Sequence, residues 1–313
     1  MSDPVILFFL LGLGASLIRS DLKIPGVLYE SLSIFLLLAI GLKGGVALSK
    51  QAAGDILGPI LLVVMVASLI PLLGFTIARR VGRYNCANAG ALAAHYGSVS
   101  VVTFAVASSF LMRQSVQAEG YMAVFLVVLE IPGLLIGVAL ARLGAGQTRW
   151  LALFHEIITG KSIVLLIGGL LIGYVCGEEG SASITPLFFG LFKGLLAIFL
   201  LEMGLVTAGR ITDLKRSGIF LVGFGVLMPL LSAALGLITG WILNLSVGGT
   251  TLLATLFASA SYIAAPAAVR MAVPEANPSL SIGASLGVTF PFNITIGIPL
   301  YFAASQWLLG VAV

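Results

Sequence analysis

Ten apolar runs, each closed by charged or glycine-rich punctuation, constrain this chain more than any other feature. They cover roughly residues 4–18, 26–43, 56–78, 87–111 and 120–141, then 162–176, 185–207, 218–243, 249–272 and 280–308. A helix that crosses a bilayer needs about 20 mainly apolar residues, with a range of about 17–25. The two short runs, 4–18 and 162–176, each open a group of five. Only 9% of the 313 residues are charged and 59% are hydrophobic, against roughly 25% charged in a soluble domain. Such a chain cannot cover a sphere in water, which excludes a soluble enzyme. Its 38 glycines and 12 prolines suit membrane helices that pack closely or break. The expected fold is an all-α polytopic membrane protein with lipid as its surroundings.

Loop charge predicts the orientation. The odd-numbered connections hold Arg19, Lys23, Arg79, Arg80, Arg83, Arg142, Arg149, Lys161, Arg210, Lys215, Arg216 and Arg270, whereas the even-numbered ones hold Lys50 and Arg113 alone. Lys43 and Lys193 fall inside spans. Positive residues gather on the cytoplasmic side, so both termini are expected outside. The net charge of +4 is therefore loop bias, with no nucleic-acid footprint. Met1-Ser2-Asp3-Pro4 lacks the basic stretch of a cleaved signal peptide. Cys86 and Cys176 are too few for a disulfide framework.

The two groups of five resemble each other. Ile40-Gly41-Leu42 in span 2 answers Met203-Gly204-Leu205 in span 7. Pro71-Leu72-Leu73 in span 3 answers Pro229-Leu230-Leu231 in span 8. Glu130-Ile131-Pro132 in span 5 answers Thr289-Phe290-Pro291 in span 10, and Gly97-Ser98 in span 4 answers Ala260-Ser261 in span 9. Five spans per half force opposite orientations, so the sequence predicts an inverted 5+5 repeat: residues 1–141, a cytoplasmic linker 142–161, and residues 162–313. Repeats of this kind build many secondary transporters, with the site near mid-membrane at broken helices.

Two segments fit such breaks. Ala93-Ala94-His95-Tyr96-Gly97-Ser98-Val99-Ser100 lies in span 4 and Ser259-Ala260-Ser261-Tyr262-Ile263-Ala264-Ala265-Pro266 in span 9. Ser98 and Ser261 each stand about 11–12 residues into their spans, near mid-bilayer. Gly97 permits the backbone angles of a break, and Pro266 frees the Tyr262 carbonyl. Broken helices offer amide groups to an anion, while freed carbonyls and hydroxyls suit Na⁺ better than a soft metal. Small residues that merely let helices approach would give a similar pattern. Glu130, also near mid-span, is a candidate cation ligand or proton carrier because an ionisable group at that depth is costly. Asn293 and Thr289 would add neutral oxygens. His95 reads as a cavity-lining or satisfied core histidine. No metal-ligand spacing, nucleotide loop or paired catalytic carboxylates appears, so an enzyme is not expected, nor any cofactor beyond Na⁺.

The strings Ala93 to Phe104 and Ala258 to Tyr301, with Gly41-Leu42-Lys43-Gly44-Gly45 and Glu130-Ile131-Pro132, resemble the cyanobacterial-type sodium-dependent bicarbonate transporter family across all ten spans. The resemblance implies Na⁺-coupled symport of a small anion, bicarbonate first, in a bacterial inner membrane. It further implies an elevator-like core domain moving against a gate domain, a trimer, and a cytoplasmic PII-like regulator. Carried over, the substrate site falls on Gly97, Ser98, Val99, Ser100, Ser261, Tyr262 and Ile263. Sodium falls on Glu130, Thr103, Ser259, Thr289 and Asn293. Another small carboxylate, or Na⁺/H⁺ exchange through Glu130, are the alternatives.

Overall fold

The computed structural model describes residues 4–50, 54–143 and 150–310, apart from the side chains of 54–55 and 211–217. The first three residues, Arg149, and the side chains of Lys215 and Arg216 lie outside what is described. Among the described residues regular structure is helical, with no strand. In chain order the first nine helices are α1 Pro4–Leu17, α2 Gly26–Leu48, α3 Gly54–Ala67, α4 Leu69–Arg80, α5 Cys86–Gly97, α6 Val101–Arg113, α7 Met122–Ala141, α8 Trp150–Ile158 and α9 Lys161–Ser181. Then come α10 Phe192–Ser217, α11 Ile219–Ile242, α12 Val247–Ala258, α13 Ala264–Ala272, α14 Pro278–Ala284, α15 Phe290–Phe292 and α16 Ile298–Leu308. π-Helical segments occupy Pro186–Gly190, Ser285–Thr289 and Asn293–Gly297.

Eight stretches are long and apolar enough to cross a membrane: Gly26–Leu48, Ile56–Arg80, Cys86–Arg113, Met122–Ala141, Lys161–Ser181, Phe192–Arg210, Ile219–Ile242 and Pro278–Leu308. Two of the ten expected runs fall short of that length for physical reasons. The first yields the 14-residue α1, about 21 Å long. The ninth is cut into α12 and α13, of 12 and 9 residues. α8 was not anticipated, because it lies inside the stretch read as a linker. It buries Leu153 and Ile157 and leaves Leu151 and Phe154 exposed.

The bundle is inside out relative to a soluble protein. Its rim exposes Leu151, Ile219, Val175 and Trp307, while Ser98, Thr103, Glu130, Ser259 and Asn293 are buried. In water this apolar rim would be unstable; against lipid it is the natural face. At the centre lie α5, α6 and α12, whose residues are almost all buried.

Small residues set the closest crossings. A Cβ on Gly41 would lie 2.5 Å from the Leu166 carbonyl oxygen, one on Gly45 2.0 Å from that of Leu170, and one on Gly173 2.2 Å from that of Leu42. Residue numbers on α2 and α9 rise together along this contact, so the two helices run parallel. α1 and α10 meet through Gly12 and Gly204 in the same way. By contrast, Gly97, Ala94 and Gly90 on α5 meet Gly133, Gly137 and Ala141 on α7 in falling order, an antiparallel pair. Backbones this close gain packing that lipid tails cannot replace.

Candidate substrate and ion site

Both expected breaks are present, and they touch. α5 ends at Gly97, Ser98 is extended at φ −99° and ψ 160°, and α6 starts at Val101. α12 ends at Ala258, Ser259 is extended at φ −78° and ψ 163°, and α13 starts at Ala264. The Ser100 amide donates to Ser259 Oγ at 2.8 Å, and the Ser261 amide donates to the His95 carbonyl at 2.8 Å. Each break thus satisfies a backbone group of the other. An unpaired peptide group in hydrocarbon costs several kcal/mol, so the crossing holds its own halves together.

Serines then restart the helices. Ser100 Oγ accepts from the Thr103 amide at 3.2 Å and caps α6. Ser261 Oγ accepts from the Ala265 amide at 3.2 Å in the first turn of α13. Pro266 sits in that same turn, where its missing N–H has no helical acceptor to lose. Gly97 has a helical role after all: its φ is not positive. What requires glycine there is proximity, since a Cβ on Gly97 would lie 2.9 Å from the Gly133 Cα, and one on the facing Gly133 1.8 Å from the Gly97 carbonyl oxygen.

Backbone groups are left over in both breaks. The residues in the middle of the breaks, Val99 and Ala260, make no hydrogen bond among the described residues, and both are buried. Ala260 is absent from the expected site; the matched Gly97-Ser98 and Ala260-Ser261 pairs set it against Gly97, not Val99. The crossing also gathers the N-terminal ends of α6 and α13 and the C-terminal ends of α5 and α12. Helix N-termini favour anions and C-termini favour cations, so this one place has fields for both signs.

The ionisable neighbour is Glu130, on α7. Its backbone carbonyl accepts from Ser98 Oγ at 3.1 Å. Its side chain is 2% exposed, and Oε2 has no hydrogen-bond partner among the described residues. α7 runs unbroken through Pro132. His95 is fully buried, and neither ring nitrogen has a hydrogen-bond partner among the described residues. The Tyr262 hydroxyl is buried, and its ring meets Phe290 edge-on at 5.3 Å. Thr103 and Ile263 flank the breaks on α6 and at the start of α13.

Thr289 and Asn293 stand on the two π-helical segments before α16. Thr289 Oγ1 donates to the Gly225 carbonyl at 2.6 Å. Its single proton is then spent, so the Tyr96 hydroxyl 2.6 Å away is the donor to it. Asn293 Nδ2 donates to the Ala258 carbonyl at 2.9 Å, and Oδ1 accepts from the Tyr301 hydroxyl at 2.8 Å. Asn293 therefore touches the end of α12, one residue from Ser259, whereas Thr289 is tied to Tyr96 on α5. The partners Tyr96 and Tyr301 left no signal beyond being aromatic residues in apolar runs.

Two cavities flank the crossing. One, of about 490 Å³, is lined by Lys43 of α2, Phe104 of α6, Glu119 and Leu252 of α12. The other, of about 450 Å³, is lined by Glu156, Lys161, Ser162, Ile263 and Ala264. Because α2 and α9 run parallel, with Gly41 against Leu166 and Gly45 against Leu170, Lys43 lies roughly 13 Å further along that pair than Lys161 at the start of α9. Between them Ser98, Ser100, Ser259 and Ser261 are all 4% exposed or less, so the crossing is closed off from both.

Over residues 4–306 the chain matches the family model described as the Na⁺-dependent bicarbonate transporter superfamily. No match is found among curated proteins.

Proposed function

This chain belongs to the Na⁺-dependent bicarbonate transporter superfamily, and on that footing we propose that it is a Na⁺-coupled symporter whose substrate and ion site is the crossing of the two breaks. The observation that carries this reading is the pair of buried, unpartnered backbone segments at Val99 and Ala260 in two breaks that hydrogen-bond to each other, with Ser98 of the first break bonded to the backbone of the buried Glu130. The substrate is a small anion, bicarbonate first. It takes the amides of Val99 and Ala260 and the starts of α6 and α13, with Gly97, Ser98, Ser100, Ser261, Tyr262 and Ile263 around it. Na⁺ takes oxygens from Glu130, Thr103, Ser259 and Asn293, with Thr289 holding Tyr96 behind them.

Coupling follows from charge. An anion beside the Glu130 carboxylate is repelled in a low-dielectric site. A bound Na⁺ cancels that charge, so each ligand raises the affinity of the other by the same factor. In this reading the two halves are inverted copies. The reciprocal pairings of α1 with α10 and of α2 with α9 support it, since each joins the opening helix of one half to the second span of the other. Those four helices form the gate, and α3–α7 with α11–α16 form the core that moves. The resemblance extends the proposal to a trimer in a bacterial inner membrane, with both termini outside and a PII-like regulator on the cytoplasmic face.

The test is uptake of labelled bicarbonate into proteoliposomes with and without an inward Na⁺ gradient, followed by other small carboxylates. Accumulation driven by Na⁺ is expected. Its absence for every anion, with Na⁺-driven pH change instead, would replace symport by exchange through Glu130, a reading that the unpartnered Oε2 keeps in play.

A further inference from the structure

We propose that the cavity between α8, α9 and α13 is a second oxyanion site, built on the N-terminus of α9 and separate from the helix crossing. It rests on the transporter reading only for its role, as a station on the inner side of the transport site. Its binding chemistry stands alone.

α9 has 21 residues, and its N-cap, Gly160, has no side chain to cap it. The first-turn amides of Lys161, Ser162 and Ile163 donate to no acceptor among the described residues. Such an end carries about half a positive charge and aims N–H groups at a ligand. The second observation is Ser162. It is 6% exposed, it lines the cavity, and its hydroxyl has no hydrogen-bond partner among the described residues. An oxyanion resting on the α9 amides is placed to accept from that hydroxyl.

Three further features fit a small anion. Lys161, the first residue of α9, is exposed and lines the same cavity, and it has no ion pair among the described residues. Ile263 and Ala264 form the opposite wall, so the start of α13 also faces the space and the cavity borders the second break. A volume of about 450 Å³ holds a trigonal or tetrahedral oxyanion with several waters, each of roughly 30 Å³. Glu156 lines the cavity as well and opposes Lys161. The side chains therefore cancel, and the oriented amides with Ser162 provide the attraction.

The test uses the purified full-length protein in phosphate-free detergent and Na⁺-free buffer, titrated calorimetrically with inorganic phosphate and, in a separate arm, with bicarbonate. Binding of either is expected; phosphate alone marks an ion taken from the aqueous phase, and bicarbonate marks the transported substrate. Ser162→Ala and Lys161→Gln are each expected to weaken binding about tenfold or more. Glu156→Gln should tighten it, and Ser98→Ala should leave it unchanged. Failure of both anions to bind overturns the proposal, as does binding insensitive to Ser162→Ala and Lys161→Gln, or binding lost in Ser98→Ala. Uptake is measured on the same preparations. Na⁺-driven uptake without this binding removes the second site alone, whereas this binding without uptake removes the transport reading alone.

Discussion

Gly133 leaves no room for a side chain, because a methyl group there would overlap the Gly97 carbonyl. Backbone lies on both sides of that contact, so neither helix can yield locally. Gly133→Ala should cost about 1–3 kcal/mol or more, seen as a lower thermal midpoint of the purified protein. It should also impair uptake by moving Ser98 away from Glu130. An unchanged midpoint would show that α5 and α7 have slack. Ser98→Ala, Ser261→Ala and Glu130→Ala act at the crossing itself. Each is expected to abolish Na⁺-dependent uptake while leaving folded protein, and wild-type transport in all three would remove the site assignment. At this scale the serines and Glu130 were legible because a polar group in an apolar run stands out. Tyr96, Tyr301 and Ala260 were not, since an aromatic or an alanine in such a run looks like packing until its partner is known.

Among the elements, α12 depends on a side chain from another helix connection. Glu119, just before α7, accepts from the Ser246 amide at 2.6 Å and from the Ser246 hydroxyl at 3.2 Å, at the start of α12. Ser246 in turn caps the helix by accepting from Gly249 at 3.0 Å. A carboxylate on a helix N-terminus makes charge-assisted bonds and meets the positive end. Glu119→Ala should destabilise the protein by about 1–3 kcal/mol, while Glu119→Gln should recover part of the loss; equal midpoints for Glu119→Ala and wild type would refute the cap. The two interruptions were readable from clustered Gly, Ala and Ser. α8 was not, because its nine residues are far too few for a span and lie in the stretch read as a linker. The π-helical turns were equally hidden. Those at 285–289 and 293–297 stand just before Pro291 and Pro299, which each remove an amide from the ladder.

For the molecule as a whole, the uneven loop charge predicts how it sits in the bilayer. In a background lacking Cys86 and Cys176, Arg83→Cys should react with a membrane-impermeant maleimide only after cells are permeabilised. Lys50→Cys should react without permeabilisation. The reverse pattern would invert the topology and put the Lys161 cavity outside. The parallel course of α2 and α9 agrees with their both being even-numbered spans. Their contact uses glycines four apart, Gly41 and Gly45 against Gly169 and Gly173.

The amino-acid order alone determined that this chain is helical and bound to a membrane, because twenty-residue apolar stretches have no other stable place. It also determined where two helices must falter, since local backbone preference is written in neighbouring residues. Only tertiary structure decided that the two faltering segments meet, that Val99 and Ala260 are left unpaired there, and that Ser162 opens onto a cavity. Those facts depend on contacts between residues more than a hundred positions apart, and no local pattern encodes them.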